Sequence, residues 1–254
     1  MVGIHFTGLS DRGRLRKNNE DNWFAKLEQK LTKVYGLFLV ADGMGGHVAG
    51  ELAAKLIVES LPQFLCQRMA GFENLTPDEA THYLKTALRD FSHNFHHQSR
   101  KRLDLAGMGA TIVVTLINNN QAIIGNLGDS RLYLLRGQCL ELLTRDHTIV
   151  QYLVDTKAIK PEEAKNHPAR SRITRYVGMK GEVIPEVQCI QLENRDRLLL
   201  CSDGLTTMLS EQEIVTLLQT PTTQQEVCQQ LIASANKAGG RDNITVLVLD
   251  WYES

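Results

Sequence analysis

The fold is decided by residues 110–136, which read ATIVVTLINNNQAIIGNLGDSRLYLLR. Apolar runs at 110–117, 121–128 and 130–136 are separated by the polar segments NNN and GDS. Short runs rich in β-branched residues, with turn-forming residues between them, are typical of antiparallel hairpins. The stretch therefore predicts a meander of three neighbouring strands.

Blocks of strands and blocks of helices flank this meander. Thr76, Pro77 and Glu79 are typical of a capped helix start, whereas Pro62 predicts a break or kink in the helix before it. Such blocks, without regular alternation, favour an α+β fold in which antiparallel sheets pack together between helices. Further strands are predicted at 3–8, 22–27, 34–41, 183–192, 197–202 and 244–252, and helices at 48–69, 76–103, 210–219 and 222–237.

Length and composition indicate one domain that spans residues 1–254. Hydrophobic residues make up 43% of the 254, which is enough for a sizeable core, and no repeat or Pro/Gly/Ser-rich linker divides the chain. Residues 147–179 are polar and interrupted by Pro161 and Pro168. They are predicted to form an insert with short helices.

Charge and apolar runs exclude several classes of partner. With 28 basic and 29 acidic residues the net charge is −1, which favours neither nucleic acid nor an anionic membrane. No apolar run is long enough to cross a membrane, and the N-terminus lacks a secretory signal. The five cysteines form no C-x-x-C pair, as in a protein with reduced thiols. A cytoplasmic protein is therefore predicted.

Five aspartates lie where predicted strands begin or end, and they are Asp21, Asp42, Asp129, Asp203 and Asp242. Each alone is typical of a turn. Together they could meet at one rim of a sheet, where they would repel one another unless cations bind. Oxygen ligands without His or Cys favour Mg²⁺ or Mn²⁺ over zinc.

The glycine-rich corner VADGMGGHVAG at residues 40–50 matches neither common nucleotide-binding pattern. Val48 stands where the dinucleotide fingerprint needs its third glycine, and Glu51 and Leu52 replace the Lys and Ser/Thr of a P-loop. Asp42 would repel a bare phosphate. We therefore interpret this corner as a metal site that binds phosphate through the metal.

Arg16 and His47 are candidates for further chemistry. Arg16 could bind a phosphate through two parallel hydrogen bonds, although a solvated loop arginine is the simpler interpretation of this residue alone. His47 could act as a general acid toward an alkoxide leaving group, or could simply precede a helix.

Other charged and histidine residues are given no site role. The histidines at 82, 93, 96 and 97 and the arginines at 170, 172 and 175 are predicted to be solvated surface residues, and His147 and His167 have no predicted role.

The chain closely resembles the metal-dependent protein serine/threonine phosphatases of type 2C, in their compact bacterial form. The resemblance rests on the ordered segments SDRGRLRKNNEDNW, VADGMGGHVAGE, GMGATIVV, NLGDSRLYLL, ITRYVG, CSDGL and GGRDNITVLVL, between residues 10 and 249. It implies a sandwich of two antiparallel sheets with helix pairs on both outer faces. Residues 147–179 would be the flap beside the active site, which in the family is linked to substrate choice.

The resemblance also implies a binuclear Mn²⁺ or Mg²⁺ centre. Asp42 would bridge the two ions, Gly43 would offer its carbonyl, and Asp21, Asp203 and Asp242 would add carboxylates. Asp129 and Asp203 would hold a third, weaker ion, and Arg16 would bind the substrate phosphate. Some relatives carry histidine directly after Asp-Gly, where this chain has Met44, and the bacterial form carries it at the position of His47.

The implied activity is hydrolysis of phosphoserine and phosphothreonine in proteins by a metal-activated bridging water. No phosphoenzyme is expected, because the metal-activated water would attack the phosphate directly. The predicted enzyme is a monomer in signalling that opposes a serine/threonine kinase. A phosphoprotein-binding regulatory protein and a phosphatase for a small metabolite are the alternatives.

Overall fold

The computed structural model describes residues 2–30, 33–45, 48–68, 75–101 and 107–253. Within these ranges the chain forms ten strands and seven helices. The strands are β1 (Val2–Asp11), β2 (Asp21–Lys30), β3 (Lys33–Met44), β4 (Gly109–Asn118), β5 (Gln121–Leu127), β6 (Arg131–Arg136), β7 (Cys139–Leu142), β8 (Glu186–Gln191), β9 (Arg197–Cys201) and β10 (Ile244–Glu253). The helices are α1 (Val48–Arg68), α2 (Pro77–Ser99), α3 (Ile149–Asp155), α4 (Pro161–Ala164), α5 (Asp203–Thr206), α6 (Glu211–Leu218) and α7 (Gln224–Lys237).

The strands form two antiparallel sheets of five strands each. The first sheet has the order β1-β10-β9-β6-β7, and the second has the order β2-β3-β4-β5-β8. Phe38 and Val113 of the second sheet share one buried cluster with Leu200 and Leu247 of the first. The predicted α+β sandwich of two antiparallel sheets is confirmed.

Helices cover both outer faces of the sandwich. Leu61 of α1 and Leu88 of α2 share a buried cluster with Leu39 of β3. On the opposite face, Leu231 of α7 shares a cluster with Val246 of β10. All five side chains are buried, and each contributes about 1.5–3 kcal/mol to the hydrophobic free energy of folding. Three apolar layers therefore hold the two sheets and their helices together.

The predicted three-stranded meander is wrong at its second connection. β5 pairs with β4 and β8 in the second sheet, whereas β6 pairs with β7 and β9 in the first. The chain changes sheets at Gly128, whose φ is +121°, and the side chain of Thr111 occupies the space that a Cβ would need there. This crossing places Asp129 between the ends of the two sheets.

Two local predictions for the helices have different outcomes. The capping box is confirmed, since Thr76 Oγ1 accepts a hydrogen bond from Glu79 N at 3.3 Å and Glu79 Oε2 accepts one from Thr76 N at 2.8 Å. Pro62 does not break the chain into two helices, because α1 continues to Arg68. None of the helices in the described ranges combines the length and the apolarity needed to cross a bilayer.

Candidate active site

Asp21 and Asp42 lie directly opposite each other on neighbouring strands. Asp21 opens β2, and its partner in the antiparallel register of β3 is Asp42. The sequence predicted that β3 would end before Asp42, but the strand continues to Met44 and pairs Asp42 also with Thr111 of β4. Ladder pairing on both sides fixes the Asp42 backbone. The two carboxylates therefore start from a rigid sheet rather than from a loop.

Close backbone packing explains two glycines in the corner after Asp42. A Cβ on Gly43 would collide with the carbonyl oxygen of Gly50 in α1, and a Cβ on Gly50 would collide with Oε2 of Glu20. Gly43 N also donates a hydrogen bond to the Glu20 carbonyl at 3.0 Å. The glycines thus let the first turn of α1 pack against Glu20 and the end of β3.

The first sheet brings Asp203 and Asp242 to the same end of the sandwich. Asp203 opens the short helix α5 after β9, and Asp242 lies just before β10, which pairs with β9. Ser202 connects the sheets, since its Oγ donates to Asp21 Oδ2 at 2.7 Å and accepts from Thr245 N at 3.0 Å. The predicted convergence of carboxylates from distant segments is therefore present.

The five carboxylates interact electrostatically. Burial, followed by the charges of Asp203 and Asp242, raises the pKa of Asp21 to about 7 against hydrogen bonds from Ser202 and Thr245 that lower it. Burial, followed by Asp129 and Asp242, raises the pKa of Asp203 to about 8. The pKa of Asp42 is also raised well above its usual value, first by burial and then by the other four carboxylates. Such mutual repulsion indicates a site suited to cations.

The donor set fits hard divalent ions that keep part of their water. Asp129 Oδ1 is buried and has no hydrogen-bond partner among the residues that the structure describes, although burial raises the pKa of this carboxyl only to about 6. No three His, Cys, Asp or Glu side chains within the described ranges are arranged to hold one ion by themselves. Mg²⁺ typically takes one or two carboxylates and retains several waters. The residues therefore fit such ions, with water completing the coordination.

Arg16 lies beside these carboxylates on the loop between β1 and β2. Its Nη2 donates to Asp242 Oδ2 at 2.7 Å, and the exposed fractions of the two side chains are 52% and 32%. The predicted phosphate-binding arginine thus lies at the open side of the carboxylate cluster. Gly46 and His47 are outside the described residues, so the general-acid role of His47 stays a prediction.

Asn243 fixes the Arg16 loop, and the sequence analysis missed it. Its Oδ1 accepts from Glu20 N, and its Nδ2 donates to the carbonyls of Arg12 and Asn18, each at 2.9 Å. The side chain is 5% exposed, so these bonds are shielded from water. In the sequence, Asp242-Asn243 resembles an ordinary turn, and its partners lie more than 220 positions away.

His147 is a second residue without a predicted role. Its Nδ1 accepts from Gly128 N at 3.1 Å, and its own N donates to the Gly128 carbonyl at 2.8 Å. Burial, followed by the charges of Arg175 and Arg145, lowers the pKa of His147 to about 4, so the ring is neutral at pH 7. His147 therefore holds the crossing that precedes Asp129.

The histidine cluster of α2 is largely a surface feature, as predicted. His93 and His97 are exposed, and their Nε2 atoms lie 3.1 Å apart. His96 is partly buried and donates from Nδ1 to the Gly178 carbonyl at 2.8 Å. His96 therefore contacts the end of the 147–179 segment rather than the carboxylates.

Residues 147–179, called the flap below, contain the short helices α3 and α4. Pro161 opens α4 at its first turn, where proline is tolerated, instead of only interrupting a helix. Isolated bridges join Thr148 to Ile173 within the flap and Val177 to Ala110 of β4. Since Ala110 is paired with Gly43, the end of the flap is attached next to the Asp42 corner.

Comparisons with known proteins agree with this architecture. The family described as "Protein phosphatase 2C" matches residues 14–242. The serine/threonine phosphatase stp of Listeria monocytogenes is 38% identical over 247 residues, which cover 97% of this chain and 96% of that protein. The protein phosphatase PhpP of Streptococcus pneumoniae is 36% identical over 96% of both chains.

Solved structures are similar over the full length. The Mycobacterium tuberculosis serine/threonine phosphatase PstP/Ppp is 38% identical with a TM-score of 0.85, and the match covers 100% of both chains. A catalytic domain of PstP in complex with two manganese ions is 35% identical with a TM-score of 0.81, again over 100% of both chains. The sequence resemblance is confirmed: this chain belongs to the protein phosphatase 2C family.

Proposed function

We propose that this chain hydrolyses phosphoserine and phosphothreonine in proteins, using two Mn²⁺ or Mg²⁺ ions. Its relatives are named serine/threonine phosphatases, and one of their structures contains two manganese ions. The observation that supports the proposal most is the convergence of five aspartates at one end of the sandwich, where burial and the neighbouring carboxylates raise the pKa of Asp42 and Asp203. That arrangement is costly unless cations neutralise it.

Asp42 and the Gly43 carbonyl, together with Asp21, Asp203 and Asp242, are the proposed ligands of the two ions. Asp129 and Asp203 are proposed to hold a third, weaker ion. When bound, a pair of such ions acidifies a water and neutralises charge on phosphoryl oxygens. The sheet positions of Asp21 and Asp42 keep their carboxylates from moving apart, and the Ser202 hydroxyl orients Asp21.

Arg16 is proposed to bind the substrate phosphate. A guanidinium has five N–H donors in a planar fork, and Asp242 takes one of them. The side chain is half-exposed, so its other N–H groups can donate two parallel hydrogen bonds to the oxygens of a phosphate. Asp242 thereby orients Arg16 toward the side where a phosphoprotein would approach.

The leaving alkoxide needs a proton, and we propose His47 as its donor. Nucleophilic thiol chemistry is not supported. Burial raises the pKa of both Cys201 and Cys228 to about 12, so these thiols stay protonated at pH 7. Cys139 and Cys189 are each followed six residues later by arginine, but both lie in strands, β7 and β8, instead of in a loop that could hold a phosphate. Direct attack by water, without a phosphoenzyme, agrees with these observations.

We further propose a cytoplasmic monomer that opposes a serine/threonine kinase. The cysteines are free thiols, and Cys66 and Cys139 are exposed, which suits a reducing compartment. Exposed thiols would be oxidised more readily outside the cell.

The decisive experiment is phosphate release from phosphoserine, phosphothreonine, phosphotyrosine and sugar-phosphate substrates, with Mn²⁺, with Mg²⁺ and with a chelator. We expect metal-dependent turnover of the phosphoserine and phosphothreonine peptides. Hydrolysis restricted to sugar phosphates would favour a metabolite phosphatase. Binding of phosphopeptides without any phosphate release would favour a regulatory binding protein.

A further inference from the structure

A cavity of about 440 Å³ lies between the flap and the segment that begins with α5. Asp129 and Asp203 line it, so it is continuous with the proposed cation site. Residues 206–210, which follow in the chain, form one side of the cavity, and the flap residues Lys165 and Arg170 lie on another. A substrate bound at the cation site would therefore extend past this cavity.

The basic side chains that line the cavity differ in whether a carboxylate already neutralises their charge. Arg131 donates to both carboxylate oxygens of Asp146, at 2.9 and 2.7 Å, so its charge is already neutralised. Lys165 and Arg170 are exposed, and neither has a carboxylate partner within the part of the chain that the structure describes. Two unpaired positive charges therefore face a space beside the proposed phosphate site.

We propose that this cavity is a substrate subsite for an acidic or phosphorylated residue close in sequence to the phosphoresidue that is hydrolysed. The proposal rests on the proposed phosphatase function and defines its substrate class. Lys165 and Arg170 attract an anionic side chain. Cations held by Asp129 and Asp203 cancel the repulsion that these two carboxylates would exert on it. An extended peptide spans about 10 Å in three residues, so we place the preferred acid within three positions.

The three flap arginines differ in their surroundings, although all were predicted to be solvated surface residues. Arg170 lines the cavity, whereas Arg175 donates to the Ile184 carbonyl at 3.3 Å on the other side of the flap. Arg172 is exposed and does not line the cavity. Arg172 is therefore a matched control for Arg170, with the same charge on the same segment.

The test compares phosphothreonine peptides that differ at one of the three positions on either side, with Glu, phosphoserine or Ala there. We expect kcat/KM to be about 5- to 20-fold higher for the best acidic peptide than for its Ala counterpart at low salt, as two weakly screened ion pairs allow. In the double variant Lys165→Gln/Arg170→Gln this ratio should fall to about twofold or less, and Arg172→Gln should retain it.

Binding of non-hydrolysable phosphonate versions, followed by fluorescence anisotropy, gives a readout that does not need turnover. Tighter binding of the acidic peptide by the wild type, lost in the double variant and kept in Arg172→Gln, supports the subsite. Equal binding and turnover of acidic and Ala peptides overturns the subsite but leaves the phosphatase function standing. A preference that survives in the double variant also overturns it. If the wild type binds the acidic peptide more tightly but releases no phosphate from any phosphopeptide, the phosphatase function is refuted and the subsite stands.

Discussion

Arg16 and Asp242 hold each other through one charged hydrogen bond of 2.7 Å between Nη2 and Oδ2. Asp242 therefore has two proposed partners, the guanidinium and a divalent ion. Arg16 in turn is oriented by a carboxylate whose backbone adjoins Asn243. The phosphate-binding and the metal-binding parts of the site are thus mechanically joined, and changes in one should affect the other.

Replacing Arg16 by alanine should lower kcat/KM for a phosphopeptide by about 10- to 100-fold, mostly through KM, because hydrogen bonds to a charged phosphate are lost. Arg16→Lys should recover only part of the loss, since an ammonium cannot form the planar fork. Steady-state phosphate release checks both variants. Lys17→Gln, a neighbouring exposed cation, is the control and should behave like the wild type. An unchanged KM in Arg16→Ala would contradict the phosphate-binding role.

Replacing Asp42 by asparagine should abolish turnover and tight Mn²⁺ binding, measured by phosphate release and by calorimetric titration. The same change should raise the thermal midpoint of the chelator-treated protein at pH 8, because it removes a charge that four other carboxylates repel. Asp78→Asn, an exposed carboxylate on α2, is the control. Near-normal Mn²⁺-dependent activity in Asp42→Asn would refute the bridging role.

Replacing His47 by alanine should reduce turnover of a phosphopeptide by about 10²- to 10⁴-fold, the usual contribution of a general acid. Turnover of p-nitrophenyl phosphate should fall much less, because nitrophenolate leaves without a proton. The measurement is kcat on both substrates at saturating Mn²⁺. Equal losses on the two substrates would argue against proton donation by His47.

The metal-free protein should lose stability as the pH rises from about 6.5 to about 8.5. Burial and neighbouring carboxylates raise the pKa of Asp21 to about 7 and of Asp203 to about 8, so the folded state holds more protons there than the unfolded state. His147 acts in the opposite sense: burial lowers its pKa to about 4, so the stability it contributes is lost only as the pH falls below its unfolded value of 6.5.

Urea unfolding in chelator across this range measures the effect. Saturating Mg²⁺ should largely remove the pH dependence, because bound cations keep the carboxylates ionised. Asp203→Asn should reduce the slope in chelator. A stability that is flat or rises with pH in chelator would show that the carboxylates are not mutually destabilised.

Replacing Asn243 by alanine should destabilise the protein by about 1–3 kcal/mol, since three backbone groups lose their partner. It should also make the 12–19 loop more sensitive to proteolysis and raise KM, because Arg16 is no longer held. Urea unfolding, limited proteolysis and steady-state kinetics check these effects. Asn194→Ala, which removes one exposed hydrogen bond to Glu253 N, is the control. Unchanged proteolysis of the loop would exclude the positioning role.

Sequence patterns predicted the fold class well because most strands and helices have strong local signals. The long apolar run of β3 and the Thr76 capping box are examples that the structure confirms. The β5–β6 connection was mispredicted, because GDS resembles a hairpin turn and nothing local shows that the next strand joins another sheet. β7 and α5 were too short to give a periodic signal.

The candidate site likewise contains residues that the sequence could predict and residues that it could not. Asp21, Asp42, Asp129, Asp203 and Asp242 could be proposed from acids at the edges of apolar runs. Asn243 and His147 could not, because their importance depends on contacts with Glu20 and Gly128 that only the folded chain creates. Polar residues that act by holding a backbone segment carry little signature of their own.

The pairing of β1 with β10 affects when the chain can complete its fold during synthesis. Val2 lies opposite Glu253, so β1 hydrogen-bonds to β10, a strand that is synthesised about 240 residues later. A nascent polypeptide that still lacks residues 242–253 has an open sheet edge and misses Asp242, the anchor of Arg16. Dephosphorylating capacity should consequently arise only once translation has reached this strand, and clipping a few residues inside it should silence the enzyme.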